Sequence, residues 1–394
     1  MKNKLKSLVA IFLLFVLSFT FSSCSFIKNG DFNSNEPTIK IGLSAPLTGA
    51  KSEYGIAAKN SAQLAVDEIN AMGGINGIKL ELMVRNDFNN KIIARYNYKK
   101  LYKSGMQISL GTVTNRPALS FNKQAAKDNV FILTPSASTD EILQYENTYQ
   151  MCINDSNTGS NLARVIDFEY GSKQTKVGIF YKSDDSKFAG IKDAFFRSLA
   201  PSFETPIVAS FTSLTSLNFS LQANKLKDCD VILILADKDS AARFMKNGRN
   251  IVNPDAVYYG TEDMFGIDSV KNFDISSIPQ KVCFLSAYNY NSTEGASKIY
   301  ADKYKSVYGD DAPLNEYGAS AYDSVYAIYA AIKNATNEGY KLDETTSPAE
   351  FCKALKSSFD GDFKFFGICE ENEWGITWSA DGRVNKRTFW YYVK

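Results

Sequence analysis

Residues 38–84 read TIKIGLSAPLTGAKSEYGIAAKNSAQLAVDEINAMGGINGIKLELMV, and they predict a strand, a helix and a second strand. Thr38 to Ala45 alternates apolar with polar side chains, which is the pattern of a half-buried strand. The residues that share the apolar face of the following helix are Ala58, Ala62, Ala65, Ile69 and Met72. Gly73 and Gly74 supply the positive φ that favours a helix end, and Lys79 to Val84 is the second strand. The stretch therefore predicts a βαβ unit.

The same alternation of strands and helices continues along the rest of the chain. Further strands are predicted at 106–110, 130–133, 176–181, 207–212, 231–236, 256–260 and 282–287, with short strands around 376 and 389–393. Further helices are predicted at 90–104, 117–127, 187–199, 219–227, 239–248, 295–308 and 317–335. Strands that alternate with helices form mostly parallel, doubly wound sheets. A chain of 394 residues has room for roughly two domains of about 150 residues each. We therefore predict an α/β protein with two doubly wound, parallel-sheet lobes.

The composition excludes several classes of function. The chain has no histidine, so it cannot carry a Ser-His-Asp triad, a Cys-His dyad or an HExxH zinc helix. Its 44 Lys and Arg residues balance 43 Asp and Glu residues, which gives no basic surface for nucleic acid. No GxxxxGK[ST] or GxGxxG motif is present to cradle a phosphate. We therefore predict a protein that is not an enzyme, has no cofactor or metal and binds no nucleic acid.

The N-terminus has the features of an export signal. Residues 1–6 carry three lysines, and residues 8–21 form an apolar run shorter than the roughly 20 residues needed to span a bilayer. The run ends in FSSC at 21–24, which resembles a bacterial lipobox in which Cys24 is diacylated and becomes the first residue of the mature protein. Phe21 stands where a leucine is usual. An ordinary signal peptide or an uncleaved anchor are the alternatives.

These features divide the N-terminal region in two. We predict a lipoprotein signal peptide over 1–24 and a polar, flexible tether over 25–37. The mature protein is then exported and held on the outer face of the bacterial cell membrane by its lipid.

Five further cysteines lie within the predicted fold: Cys152, Cys229, Cys283, Cys352 and Cys369. No two have the CxxC spacing of a structural zinc site. Because five is odd, at least one thiol is free unless it pairs between chains. Cys352 and Cys369 could form a disulfide, and the favoured interpretation for most of the five is that of small buried apolar side chains.

Three segments of the N-terminal half carry a family resemblance: IGLSAPLTG at 41–49, Tyr54-Gly55, and LAVDEINAMGGING at 64–77. They resemble the opening of the leucine/isoleucine/valine-binding proteins. Later segments continue the resemblance in the same order, at 110–111, 134–138, 230–236, 260–262, 317–323 and 381–382. Members of that family are substrate-binding components of amino-acid ABC importers and have the type I periplasmic-binding fold.

The resemblance implies a hinge at which the chain crosses between the lobes three times. On this sequence the crossings fall near 152–156, 285–288 and 384–388. Lobe one would then comprise 38–153 plus 287–385, and lobe two would comprise 154–286 plus 386–394. The ligand would lie in the cleft between the lobes, at the carboxyl ends of the strands, where open α/β sheets generally bind ligands.

A zwitterionic amino acid needs donors for its carboxylate, and hydroxyl and backbone N–H groups at a helix N-terminus supply them. Asn115, or Thr114 beside it, is placed for this role, although the family has a serine there. Ser136, Ala137 and Ser138 match a family motif that grips the α-carboxylate and α-ammonium groups. The alternative is that the segment around them only turns the chain and caps a helix.

The ammonium group of such a ligand needs a counter-charge, because an unpaired buried charge is costly. Glu262 matches the acidic residue of the family, with Asp263 as its competitor. Asp155 is expected to line the cleft near the first crossing, and its alternative role is that of a helix cap.

Three aromatic residues are candidates for the pocket wall. Tyr54 and Phe188 correspond to family aromatics that line the side-chain pocket, one on each lobe, and Phe188 replaces a tyrosine. Tyr317 begins a helix rich in tyrosine. Each of the three could equally be an ordinary core residue.

The resemblance implies an extracytoplasmic, monomeric protein that captures a small amino acid, of branched-chain type, and delivers it to an ABC permease and its ATPase. The alternatives are a ligand-sensing ectodomain, or an importer component for an amide, urea or another small solute. Fold alone does not decide between transport and sensing.

Overall fold

The computed structural model describes residues 36–171, 174–214, 218–369 and 374–393. The predicted signal peptide, its lipobox Cys24 and nearly all of the predicted tether lie outside these residues. Thr38–Lys394 forms one compact unit. None of the helices in the described part of the chain has the length and apolar character needed to cross a membrane.

Lobe one is built on a five-stranded sheet in which every neighbouring pair is parallel, in the order β2-β1-β3-β4-β5. Its strands are β1 (Thr38–Ala45), β2 (Lys79–Asn86), β3 (Ile108–Thr112), β4 (Phe131–Thr134) and β5 (Thr148–Gln150). Its helices are α1 (Ser52–Ala71), α2 (Lys91–Lys103), α3 (Asn115–Ala125), and, from later in the chain, α8 (Gly295–Tyr308), α9 (Glu316–Asn337) and α10 (Pro348–Phe359).

Lobe two is built on a six-stranded sheet in the order β13-β10-β9-β8-β6-β7, parallel except for its last strand in the chain. Its strands are β6 (Val177–Lys182), β7 (Ile207–Phe211), β8 (Val231–Leu235), β9 (Val257–Thr261), β10 (Lys281–Ser286) and β13 (Phe389–Tyr392). Its helices are α4 (Asp155–Tyr170), α5 (Ser186–Ser198), α6 (Ser220–Lys225) and α7 (Lys238–Gly248). A small antiparallel pair, β11 (Thr377–Trp378) and β12 (Val384–Asn385), completes the strands.

The chain passes between the two sheets three times. It leaves the first sheet after β5, returns from the second sheet after β10, and crosses again between β12 and β13. The carboxyl ends of the parallel strands in both sheets therefore lie next to the connecting segments.

The predicted fold class is confirmed, but the prediction lacks the strands β5 and β12 and the helices α4 and α10. The β5 strand has only three residues, Thr148–Gln150, with polar side chains at both ends, so no apolar run marks it. The helix α10 begins at a capping box that the apolar pattern alone does not reveal. Met72, predicted on the buried face of α1, is 53% exposed, because the helix ends at Ala71 and Met72 is its C-cap.

Lobe one is held together by close packing between α1 and α9. Ala58, Ala62 and Ala65 of α1 are fully buried in the same apolar core as α9. Gly318 lies at the contact, where an added Cβ would come within 2.8 Å of the Ser61 Oγ. Small side chains thus let two helix backbones approach, and an alanine at Gly318 would crowd the Ser61 hydroxyl.

All five cysteines of the fold are free and buried. The possible disulfide between Cys352 and Cys369 is therefore not formed. Both side chains belong to the apolar core of lobe one, as the alternative interpretation predicts.

The capping box of α10 gives a first testable prediction. The Ser347 Oγ accepts a hydrogen bond from the Glu350 N–H at 3.3 Å, and the Glu350 carboxylate accepts one from the Ser347 N–H at 3.1 Å. Because Ser347→Ala leaves the first of these donors without a partner, we expect it to lower the free energy of unfolding by about 1 kcal/mol, measured by urea denaturation. Ser347→Thr keeps the cap and is the control. Equal stability of the alanine variant and the wild type would contradict a role for the cap.

Candidate functional site

Four segments bring polar side chains to the carboxyl ends of the two sheets. In lobe one, α3 starts at Asn115 soon after β3, and residues 135–139 follow β4. In lobe two, α5 starts at Ser186 after β6, and a short 3₁₀ turn, Glu262–Met264, follows β9. Side chains from these segments meet between the lobes, in a region that we call the interlobe cleft.

Lys187 occupies the centre of this cleft on the lobe-two side. Its Nζ contacts the Glu262 carboxylate, lies 2.7 Å from the Asp263 Oδ2 and donates to the Tyr317 hydroxyl of lobe one at 3.0 Å. The Tyr317 hydroxyl in turn donates to the Asp263 Oδ1 at 3.1 Å, and the Thr261 hydroxyl donates to the Asp263 Oδ2. The Lys187 side chain is 12% exposed and that of Asp263 is 1% exposed, so the ion pair is largely shielded from water.

The pKa values in this cluster follow from burial and from the single shared ammonium group. Burial acts to lower the pKa of Lys187, but Asp263 and Glu262 outweigh it and hold that pKa well above its usual value. Burial acts to raise the pKa of Asp263, but Lys187 outweighs it, so that pKa is lowered. For Glu262 burial prevails, and its pKa rises to about 7. Asp263 is therefore the partner that Lys187 keeps ionised, and Glu262 is the less compensated carboxylate.

Asn115 connects the lobe-one side of the cleft to Asp155 at the start of α4. The Asn115 Nδ2 donates to the Asp155 Oδ2 at 3.1 Å, while the Asn115 Oδ1 accepts the N–H groups of Ser138 at 2.7 Å and Thr139 at 3.2 Å. On its other side, Asp155 lies against α5, where a Cβ added at Gly190 would be 3.1 Å from the Asp155 Oδ2. Asp155 therefore lies between the two lobes.

Asp155 has fewer hydrogen-bond partners than Asn115. It is 3% exposed, and its Oδ1 has no hydrogen-bond donor within the described residues. Burial raises the pKa of Asp155 to about 7, although the Ser138 hydroxyl and the charge of Lys187 act in the opposite direction.

The turn after β4 is tied to its own lobe. The Ser136 hydroxyl donates to the Val113 carbonyl at 2.8 Å, and the Ala137 N–H donates to the Thr134 hydroxyl at 3.3 Å. The Ala137 side chain is fully buried in a small apolar cluster with residues of α3 and the following turn. The turn therefore makes the internal contacts expected of its alternative, structural role.

The aromatic candidates separate into a stacked pair and a core residue. Tyr54 and Tyr317 stack with ring centroids 4.4 Å apart. The Phe188 ring is fully buried in the apolar core of lobe two. The Lys51 ammonium group lies near one ring of each kind, 5.0 Å from the Tyr54 centroid and 5.9 Å from the Phe188 centroid. Tyr54 and Tyr317 are thus the aromatic pair beside the acidic cluster.

Ion pairs join the lobes around the cleft. Lys51 of lobe one lies 3.2 Å from Asp185 of lobe two, and Lys238 of lobe two lies 2.6 Å from Glu53 of lobe one. These contacts and the Lys187 to Tyr317 hydrogen bond hold the two lobes against each other at the cleft.

A family model described as a periplasmic binding protein matches residues 38–392. The chain belongs to the periplasmic binding protein family. Its relatives include proteins named as Leu/Ile/Val-binding proteins, which confirms the resemblance found in the sequence.

Three of these relatives illustrate the range of sequence identity and of bound molecules. The Leu/Ile/Val-binding protein BraC3 of Rhizobium johnstonii is 29% identical over 192 residues, which are 48% of this chain and 51% of that protein. A second relative is LivJ from Streptococcus pneumoniae, a branched-chain amino acid transporter substrate-binding protein solved with isoleucine. It is 21% identical, has a TM-score of 0.72, and the match covers 91% of this chain and 98% of that chain. A solute-binding protein of an ABC transporter from Rhodopseudomonas palustris, solved with p-hydroxybenzoic acid, is 15% identical with a TM-score of 0.75, over 91% of this chain and 93% of that chain.

The match to BraC3 thus spans about half of that protein's length, and at these identities the two solved structures show the shared fold. All three are named as binding proteins, in agreement with a non-enzymatic protein. No cluster of three or more Cys, Asp or Glu side chains that could hold a metal ion occurs within residues 36–171, 174–214, 218–369 and 374–393.

Lys187 is the cleft residue of this periplasmic binding protein that the sequence analysis missed. It lies at the second position of α5, directly before Phe188, in a stretch that reads SDDSKFAG. Lysine is usually an exposed residue, and nothing in that local pattern distinguishes this one from others. The signal that could have found it is the adjacency of Glu262 and its competitor Asp263, because two neighbouring carboxylates that are both buried require a cation nearby.

Proposed function

We propose that this periplasmic binding protein is the extracytoplasmic solute-binding component of an ABC importer. The solute is an amino acid, of branched-chain type as the names of the relatives suggest, captured in the interlobe cleft. We further propose that Cys24 carries a lipid that tethers the mature, monomeric chain to the membrane, where it meets the permease.

The observation that carries the proposal is the incomplete neutralisation of Glu262. Lys187 is shared between Glu262 and Asp263, so Glu262 has only part of one ammonium group as its counter-charge, and burial raises its pKa to about 7. A second ammonium group beside Glu262 would relieve that cost. An α-ammonium group of an amino acid supplies such a charge.

The position of the cleft supports a capture mechanism. The groups around Glu262 come from both lobes, since Lys187 belongs to lobe two and Tyr317 to lobe one. A solute bound there would contact both lobes and favour their closed arrangement, because it binds that arrangement better than an open one. The closed surface is what a permease would recognise.

The test is a ligand screen followed by one substitution. A ligand at 100 times its dissociation constant raises the free energy of unfolding by about 2.7 kcal/mol, so a thermal-shift screen of the common amino acids, amides and urea will identify it. We expect Glu262→Gln to weaken the ligand found by about 100-fold in isothermal titration calorimetry, because the carboxylate is lost from a buried charge pair.

The matched control is Glu204→Gln, which changes an exposed glutamate of the same lobe. It should leave the dissociation constant unchanged. A ligand whose affinity is the same in the Glu262 variant would place the ammonium site elsewhere. A screen without any ligand among the amino acids would contradict the proposed solute class.

A further inference from the structure

The interlobe cleft holds more buried negative charge than positive charge. The carboxylates of Asp155, Glu262 and Asp263 all interact with the central ammonium group of Lys187, and Asp263 also interacts with the more distant charge of Lys51. Two of the three have direct contact with that group, and Asp155 does not. The centre of the cleft therefore has two carboxylates in excess of its one ammonium group when all are ionised.

The neighbouring ammonium groups do not correct the imbalance. Lys51 is paired with Asp185 at 3.2 Å. Lys386, which is buried, interacts with the carboxylates of Glu316 and Asp323. Each of these lysines thus has at least one carboxylate partner of its own outside the central group.

The buried Asp155 provides a second observation that points to a ligand. Its Oδ2 accepts from Asn115, while its Oδ1 has no partner in hydrogen-bonding geometry within the described residues, although Asp155 is only 3% exposed. The Ser138 hydroxyl is near enough to lower the pKa of Asp155, but it lies 3.4 Å from the Asn115 Oδ1 and is bonded there. A buried carboxylate oxygen without a donor is costly, and such groups in native proteins mark a ligand or functional site. The missing partner has to be a donor, and beside a carboxylate a cationic donor is favoured.

The groups expected to hold a ligand carboxylate already have acceptors of their own. The N–H groups of Ser138 and Thr139 both donate to the Asn115 Oδ1, at 2.7 and 3.2 Å, and the Ser138 hydroxyl lies 3.4 Å from the same oxygen. The Ser136 hydroxyl and the Ala137 N–H are likewise bonded within lobe one. The Asn115 amide oxygen thus takes the place that a carboxylate oxygen of an amino acid would take.

From these observations we infer that the solute bound in the cleft carries a net positive charge. It is an amine-bearing organic cation, such as an amino acid amide, whose ammonium group binds between Asp155 and Glu262 and which brings no carboxylate. The inference rests on the proposed importer role and on the same cleft, and it replaces the free amino acid of that proposal with a carboxylate-free amine. The Tyr54 and Tyr317 rings suit this class, since aromatic faces attract ammonium groups, as the Lys51 and Lys187 contacts with them illustrate.

The experiment compares ligands that differ only in the carboxylate. Isothermal titration calorimetry of the purified chain at pH 7 uses three pairs: leucine and leucinamide, phenylalanine and phenylalaninamide, and alanine and alaninamide. An α-amino group has an ordinary pKa of about 7.7 to 8.0, so each amide is mostly a cation at that pH. In the pair whose side chain fits best, we expect the amide to bind at least about tenfold more tightly than the amino acid, the effect of one charge-assisted contact.

Asp155→Asn tests the site itself, because it removes one charge and keeps the shape of the side chain. We expect it to abolish the advantage of the amide, whereas Asp255→Asn, which changes an exposed aspartate of lobe two, should preserve it. An unchanged advantage in the Asp155 variant would overturn the site.

The remaining outcomes separate the inference from the proposed function. An amino acid that binds as tightly as its amide, or more tightly, overturns the inference and leaves the proposed function standing. Binding of 4-methylpentanoate, which has the leucine skeleton without the ammonium group, in the absence of binding by any of the six amines overturns both. Absence of binding by all seven compounds also overturns both.

Discussion

Lys187→Met is expected to lower the free energy of unfolding by about 3–5 kcal/mol at pH 7, the usual cost of removing one partner from a buried ion pair. The substitution keeps the unbranched side chain but leaves Glu262 and Asp263 without the ammonium group that both contact. Two buried like charges then face each other, and the Tyr317 and Thr261 hydroxyls are the remaining donors to Asp263. Urea denaturation followed by circular dichroism measures the loss.

The control for this prediction lies on the same helix. Lys192 pairs with its neighbour Asp193, whose side chain is 57% exposed, and Lys192→Met should change the stability by less than about 1 kcal/mol, because it leaves a solvated carboxylate and not a buried one. In a Glu262→Gln, Asp263→Asn background the Lys187 substitution should also lose most of its effect, because the charges that it leaves unpaired are gone. A full-sized loss in that background would mean that Lys187 stabilises the cleft through packing rather than charge.

Much of the fold could be predicted because turn residues and apolar runs mark the elements locally. The alternation in Thr38–Ala45 and the glycines after α1 predict the first βα unit to within a few residues. The Asn90 side chain caps α2, where it accepts from the N–H groups of the first turn, and that start was also predicted. Local chemistry decides these boundaries, so a single sequence contains the information.

Of the elements that were missed, the strand β5 depends on contacts distant in sequence. The three residues Thr148–Gln150 become a strand because β4 provides an edge for them, and the Trp378 indole N–H donates to the Gln150 carbonyl at 2.7 Å. A polar tripeptide shows none of this. The helix α10, in contrast, carried a readable signal in Ser347, Pro348 and Glu350, which form a capping box with proline at its first position.

The candidate site was predicted in its parts but not in its connections. The sequence located Asn115, Ser138 and Asp155 near one edge of the sheet, and the structure joins them in a hydrogen-bonded chain. The sequence could not show that the Asn115 amide oxygen accepts the N–H groups of Ser138 and Thr139, which we had expected a ligand to accept. Nor could it show that Lys187 reaches Glu262. These depend on side-chain directions across the interface of two lobes, and the strand and helix pattern does not fix such directions.

Asp155 is expected to make the ligand-free protein less stable as the pH rises from about 4 to above 7. Burial raises its pKa from 3.8 to about 7, so the folded chain binds a proton that the unfolded chain releases in that range. Its contribution to stability is fully present below pH 4 and is lost as the pH rises through 7. A shift of this size corresponds to about 4 kcal/mol.

The measurement is the difference in unfolding free energy between Asp155→Asn and the wild type from pH 4 to pH 8. Asn cannot ionise and can still contact Asn115, so the variant should match the wild type near pH 4 and exceed it by about 4 kcal/mol at pH 8. Other groups with raised pKa values, including Asp87 at about 6, are present in both proteins and cancel in the difference. Asp255→Asn, at an exposed position, should give a flat difference across the range.

A constant difference across this pH range would mean that Asp155 is ionised in the ligand-free chain at no cost, and the charge argument for the cleft would lose its strongest support. A difference in unfolding free energy that rises with pH would mean that ionisation of Asp155 destabilises the ligand-free chain. A carboxylate that destabilises the protein at neutral pH, when the amide of the same shape would not, is retained at a cost in stability. Costs of that kind are typical of sites shaped for a ligand rather than for the fold. A ligand that supplies the missing cation should then lower the pKa of Asp155 and restore the lost stability at pH 8.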